Sequence, residues 1–106
     1  MCETQTLAAS ADGYIIRCAE CERMQICFGI AAITLKQDQF RRLKVYITEA
    51  TLYGKTYSVE PDRRCISMPV NKTMILCLSW NELVALGDLV MQAAALIEIY
   101  ELLANG

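Results

Sequence analysis

The tract from residue 79 to residue 104 constrains the fold of this chain more than any other. Ser79-Trp80-Asn81-Glu82 is a capping box: the serine hydroxyl accepts from a first-turn amide while the glutamate reaches back to the amide of the cap. A helix that opens there and runs to about Ala104 is about 37 Å long, more than the compact diameter of a 106-residue domain. Leu83, Leu86, Val90, Ala93, Ile97, Tyr100 and Ala104 make a near-heptad stripe, and Val84, Leu89, Met91, Leu96, Ile99, Leu102 and Leu103 add apolar surface beyond it. One sheet and one other helix cover only one such face. A homodimer built largely on the C-terminal helices about a twofold axis is therefore expected; the alternative is a helix satisfied wholly within its own chain. Glu82, Asp88, Gln92, Glu98 and Glu101 interrupt the tract every few residues, which argues against a membrane span.

Upstream, the pattern alternates short strands with a helix. Residues 5–10 and 14–18 flank Asp12-Gly13, a favoured hairpin pair because both positions tolerate positive φ. Residues 24–35, "MQICFGIAAITL", are apolar and rich in isoleucine, so they predict one strand buried on both faces at the centre of the sheet, with Gly29 marking a bulge or a close approach. A helix follows from Lys36 or Gln37 to about Ala50; Phe40, Leu43, Val45, Tyr46, Ile47 and Ala50 include the spacings of an amphipathic face, while Arg41, Arg42 and Lys44 point elsewhere. Residues 52–64 read as a connection with a short strand at 56–59. Residues 64–70 and 73–79 then form a second hairpin across Asn71-Lys72, before the final helix. The expectation is one α+β domain over residues 1–106: a small antiparallel sheet with two helices, in two strand-strand-helix halves. Thr34-Leu35-Lys36-x-x-x-Phe40 in the first half sits against Cys77-Leu78-Ser79-x-x-x-Leu83 in the second, a match that any repeated strand-to-helix unit would also give.

Function is less constrained than fold. With 55% hydrophobic residues there is ample material for a core, and a net charge of −2 offers no general attraction to phosphate backbones, so nucleic acid is not an expected partner. There is no histidine, no glycine-rich phosphate loop and no paired-carboxylate motif, which removes the usual general base and the Ser-His and Cys-His pairs. Catalytic residues are accordingly not assigned. Trp80 reads as a core anchor. The first residues carry neither a basic n-region nor an apolar h-region, so a cytoplasmic protein is expected, and there six cysteines are not a disulfide framework.

The cysteines hold the chemistry that remains. Cys18 and Cys21 have the spacing of a knuckle that turns two thiolates onto one zinc ion at about 2.3 Å. Without histidine, further ligands are cysteine or carboxylate. Cys2 is the best third candidate, because an N-terminal strand paired with residues 14–18 would bring it near; Cys65, Glu20 and Glu22 are weaker, and a dimer could share one ion between two knuckles. A thioredoxin-like redox role fits less well, since the motif leads into a β-like run rather than a helix N-terminus. Otherwise Cys18 and Cys21 are unmetallated turn residues. Cys27, Cys65 and Cys77 lie in apolar strands and read as buried small hydrophobes. A separate possibility is a small-ligand or protein-binding module with a groove near Phe28, Phe40 and Tyr46.

"RCAECERMQICFGIAAITLKQDQF", followed by "ISMP" and "LCLSWNELVALGDLVMQA", resembles a family of small bacterial proteins of unknown function, marked by Arg-Cys-x-x-Cys and then Gln-x-x-Phe-Gly. The similarity covers most of residues 14–95. It implies the strand-helix architecture and no activity or ligand. Where such motifs commonly have glycine after the second cysteine, this chain has Glu22, so a standard glycine-dependent knuckle turn is not expected.

Overall fold

Four strands joined by short turns build the main sheet: β1 (Thr4–Ser10), β2 (Gly13–Cys18), β3 (Met24–Phe28) and β4 (Ala31–Leu35), antiparallel in the order β1-β2-β3-β4. Helix α1 (Gln37–Tyr53) follows, then a hairpin of β5 (Ile66–Pro69) and β6 (Ile75–Leu78), and α2 (Trp80–Asn105). This computed structural model describes residues 3–18, 20–53, 62–64 and 66–105. The architecture is α+β with a long C-terminal helix, as expected, but four strands precede α1 where the segments 5–10, 14–18 and 24–35 predict three. The anticipated strand at 56–59 lies outside the described residues.

The correction falls on residues 24–35. They form two strands, because Gly29 takes φ +58 and turns the chain with Ile30 as a two-residue hairpin loop. Ile26 pairs with Ile33, and Met24 with Leu35. Their apolar run feeds one face of two strands instead of two faces of one. Ile15, Ile26 and Ile33 line up across β2, β3 and β4 on the buried side, joined by Leu7 and Ala8, which a register shift in β1 turns inward together. The first hairpin forms where expected, yet its turn residues are Ala11 and Asp12, and Gly13 already pairs with Ser10 in β2. Gly13 is needed for a different reason: a β-carbon there would overlap the Cys27 carbonyl oxygen of β3.

Both helices start the same way. Ser79 Oγ accepts from the Glu82 amide at 3.0 Å, and Glu82 Oε1 accepts from the Ser79 amide at 3.0 Å, completing the expected capping box. At α1, Gln39 Oε1 accepts from the Lys36 amide at 2.9 Å, the glutamine half of the same device. Leu35 and Leu78 end their strands buried, and Phe40 and Leu83 sit buried one turn in, each donating its amide to the cap carbonyl. The aligned heptapeptides thus share a strand-to-helix joint.

Helix α2 lies across β1 and β2 and beside α1. The two helices run antiparallel, with Gln37 donating to Glu101 at 3.2 Å and Ile47 packed over Gly87. Leu83, Leu86, Leu89 and Val90 are at most 1% exposed, each contributing roughly 1.5–3 kcal/mol by burial. Met68 and Leu78 of the hairpin join the same core, and Trp80 packs against it, half-buried. By length and composition alone α2 is apolar enough to cross a membrane, but its inner face is the centre of this core.

Candidate metal centre at the cysteine turn

The end of β2 and the start of β3 are held by Arg17 pairing with Met24, and the chain between them folds into a tight turn. The Cys18 amide donates to the Arg23 carbonyl at 2.9 Å, and the Glu22 amide to the Cys18 carbonyl at 3.1 Å. The Cys21 amide points at the Cys18 sulfur, 3.4 Å away. Glu22 closes the loop with φ 57, the left-handed conformation that glycine normally supplies. Glutamate thus occupies the position in this turn where glycine is usual.

Two of the three predicted ligands are therefore in one turn, with Cys18 buried and Cys21 exposed. Cys18 is disulfide-bonded. Cys2 and Cys65 lie outside the described residues, although β1 begins with Thr4 directly opposite Cys18. Glu20 and Glu22 are exposed at the turn surface. Among the described residues, no group of three or more cysteine or carboxylate side chains is placed to hold a metal ion. A closed zinc site uses four ligands; of the expected donors only Cys18, Cys21, Glu20 and Glu22 lie among the described residues, and Cys18 is in a disulfide.

The other cysteines depart from expectation. Cys77 is exposed and Cys27 half-buried, because both point away from the core on strands covered on one side only. Cys27 lies opposite Tyr14 across β2 and β3, and its sulfur beside the phenol pushes the Tyr14 pKa up. Hairpin register creates that pair, and neither residue alone signals it.

Among the described residues, Phe28, Phe40 and Tyr46 border different hollows rather than one groove. Phe40 is buried between the helices, and Tyr46 is on another side of α1, donating to the Ser67 carbonyl at 3.3 Å. Phe28 instead borders an open cleft of about 760 Å³ at the start of α2. There Arg64 forks onto Glu82 at 3.0 and 3.2 Å, and Asn81 donates to Asp62 at 2.8 Å. The Arg64 bond, reinforced by the Ser79 amide and opposed by partial burial, holds the Glu82 carboxyl below its usual range. Of the cleft's lining residues, Asp12, Asp62 and Glu82 are acidic and Arg64 is basic, so the cleft is acidic on balance.

No curated protein and no solved structure matches the chain, whereas the sequence model of one family spans nearly all of it.

Proposed function

The chain belongs to DUF6686, a family of unknown function whose model matches residues 1–104, and on that footing we propose a non-catalytic domain whose Cys18–Cys21 turn holds a structural zinc ion when its cysteines are reduced. The observation that carries this reading is Glu22. A non-glycine residue in the left-handed region costs roughly 1–2 kcal/mol, and such strain concentrates where a site requires it. Here it closes the loop that sets the Cys21 amide on the Cys18 sulfur and keeps both cysteines in one turn. Cys2 is the third ligand in this proposal, and the Arg17-Cys18-x-x-Cys21 run followed by Gln25-x-x-Phe28-Gly29 is its sequence signature.

Disulfide and zinc are alternative states of Cys18. A dithiol reductant that takes up the disulfide bond leaves two thiols and is itself oxidised to a disulfide; zinc then displaces the thiol protons. A second reading, a thiol-redox protein, is favoured by the disulfide at Cys18 with a further cysteine three residues away.

Metal analysis of reduced protein, purified without chelator or affinity-tag metal, tests the zinc reading. About one zinc per chain, or about one-half if two chains share it, is expected, with both metal and stability lost in Cys18→Ser/Cys21→Ser. Fully reduced protein that takes up no zinc overturns it. If that protein also re-forms its disulfide reversibly against a dithiol buffer, the redox reading replaces it.

A further inference from the structure

The sides of α1 and α2 turned away from the core are both exposed and both partly apolar. On α2 the exposed residues include Val84, Met91, Ile99 and Leu102; on α1, Val45 and Leu52. Their charges differ in sign. Helix α2 contains four acidic residues and no lysine or arginine. Glu82 is paired with Arg64 and Glu101 faces Arg41, while Asp88 and Glu98 are exposed beside the apolar stripe without an ion-pair partner among the described residues. Helix α1 presents Arg41 and Arg42, whose side chains are 68% and 79% exposed; each has an exposed carboxylate of its own chain nearby, Glu101 at 4.0 Å and Asp38 at 3.4 Å, and Glu98 borders the same groove as Arg41 and Lys44.

We propose that this two-helix face is the interface of a twofold homodimer in which α2 of each copy lies over α1 of the other. Two arguments select that arrangement over α2 packed on α2. Self-pairing of α2 would bring Asp88 and Glu98 against acidic residues with no cation on the helix to answer them, and like charges across an interface are costly. Crossing onto α1 sets them against Arg41 and Arg42, exchanging the open pairs within each chain for contacts between copies. Area points the same way. At 26 residues, α2 offers a strip of about 39 by 10 Å, or about 400 Å², well short of the roughly 800 Å² each partner buries in a stable complex. Adding the 17-residue α1 raises the flat footprint to about 650 Å², and side-chain relief makes the accessible area larger. Twofold symmetry then uses each contact twice. The proposal is independent of the zinc reading.

Sedimentation equilibrium at about 10–100 µM, a range in which a μM-affinity dimer is populated, gives the test. Wild-type protein is expected as a dimer. Asp88→Lys/Glu98→Lys and Arg41→Glu/Arg42→Glu should each weaken association by about tenfold or more, and combining all four should recover most of the loss. Far-UV circular dichroism should show all three variants folded, since every altered residue is exposed. A monomeric wild type overturns the proposal. So does a tighter dimer in the Asp88→Lys/Glu98→Lys variant, which would place α2 on α2, or Met91→Lys protein that is folded and still dimerises with wild-type affinity.

Discussion

Glu22 and Gly13 carry opposite lessons about single residues. Glu22 occupies a conformation suited to glycine, and Gly13 has an ordinary backbone but no room for a side chain. Glu22→Gly should raise stability by about 0.5–1 kcal/mol, the relief of left-handed strain less the entropy glycine adds to the unfolded chain; urea denaturation measures it, and a loss of stability would show that the glutamate side chain has a favourable role there. Gly13→Ala should cost about 1–3 kcal/mol, because β2 and β3 must separate to admit a β-carbon. Gly29→Ala has open space around it and should cost only the roughly 1 kcal/mol of its positive φ. Asp12-Gly13 was legible as a hairpin and misleading about why, since the dipeptide advertises a turn while the crowding comes from Cys27 on the next strand, β3. Glu22 was illegible because local preference disfavours what the turn imposes.

At the scale of elements, the helix starts were readable and the strand count was not. A capping box is a local device, complete within four residues, and Ser79-x-x-Glu82 forms as its spacing demands. Residues 24–35 show the limit: a single apolar run describes one doubly buried strand and two singly buried strands equally well, and only the backbone of Gly29 separates them. The joint at α2 also has a pH signature. Arg64, through its hydrogen bond, lowers the Glu82 pKa in the folded state, so Glu82 binds a proton more weakly folded than unfolded. Its contribution to stability is complete above the ordinary carboxylate pKa near 4.5 and disappears as pH falls through the lower folded value. Glu82→Gln should flatten the acid limb of the stability curve over that window, and a limb unchanged from wild type would show that Glu82 does not contribute to it. Ser79→Ala should cost about 1 kcal/mol at neutral pH and less in acid, because the Ser79 hydroxyl also helps to lower the Glu82 pKa.

For the molecule as a whole, the length and two-faced character of α2 were legible from residues 79–104, and its inner stripe is the core. Which outer residues share a face with α1 was not, because that follows from the antiparallel contact of Gln37 with Glu101 and Ile47 with Gly87. The cysteine turn was half legible: spacing placed Cys18 and Cys21 together, while the disulfide at Cys18 is a property that the Cys18–Cys21 spacing does not encode. If association is part of the native state, the melting temperature should rise with protein concentration in wild type and stay constant in a folded monomeric variant; a concentration-independent wild type would contradict that. The placement of α2 over β1 and β2 also has a consequence for biosynthesis. The sheet is finished at Leu35 and its cover at Asn105, 70 residues later by subtraction. At ~5–20 residues per second the ribosome needs roughly 4–14 s to cross that interval. During it the nascent chain holds Leu7, Ile15 and Ile26 without the helix that will hide them, which makes this the window in which a chaperone has most to do.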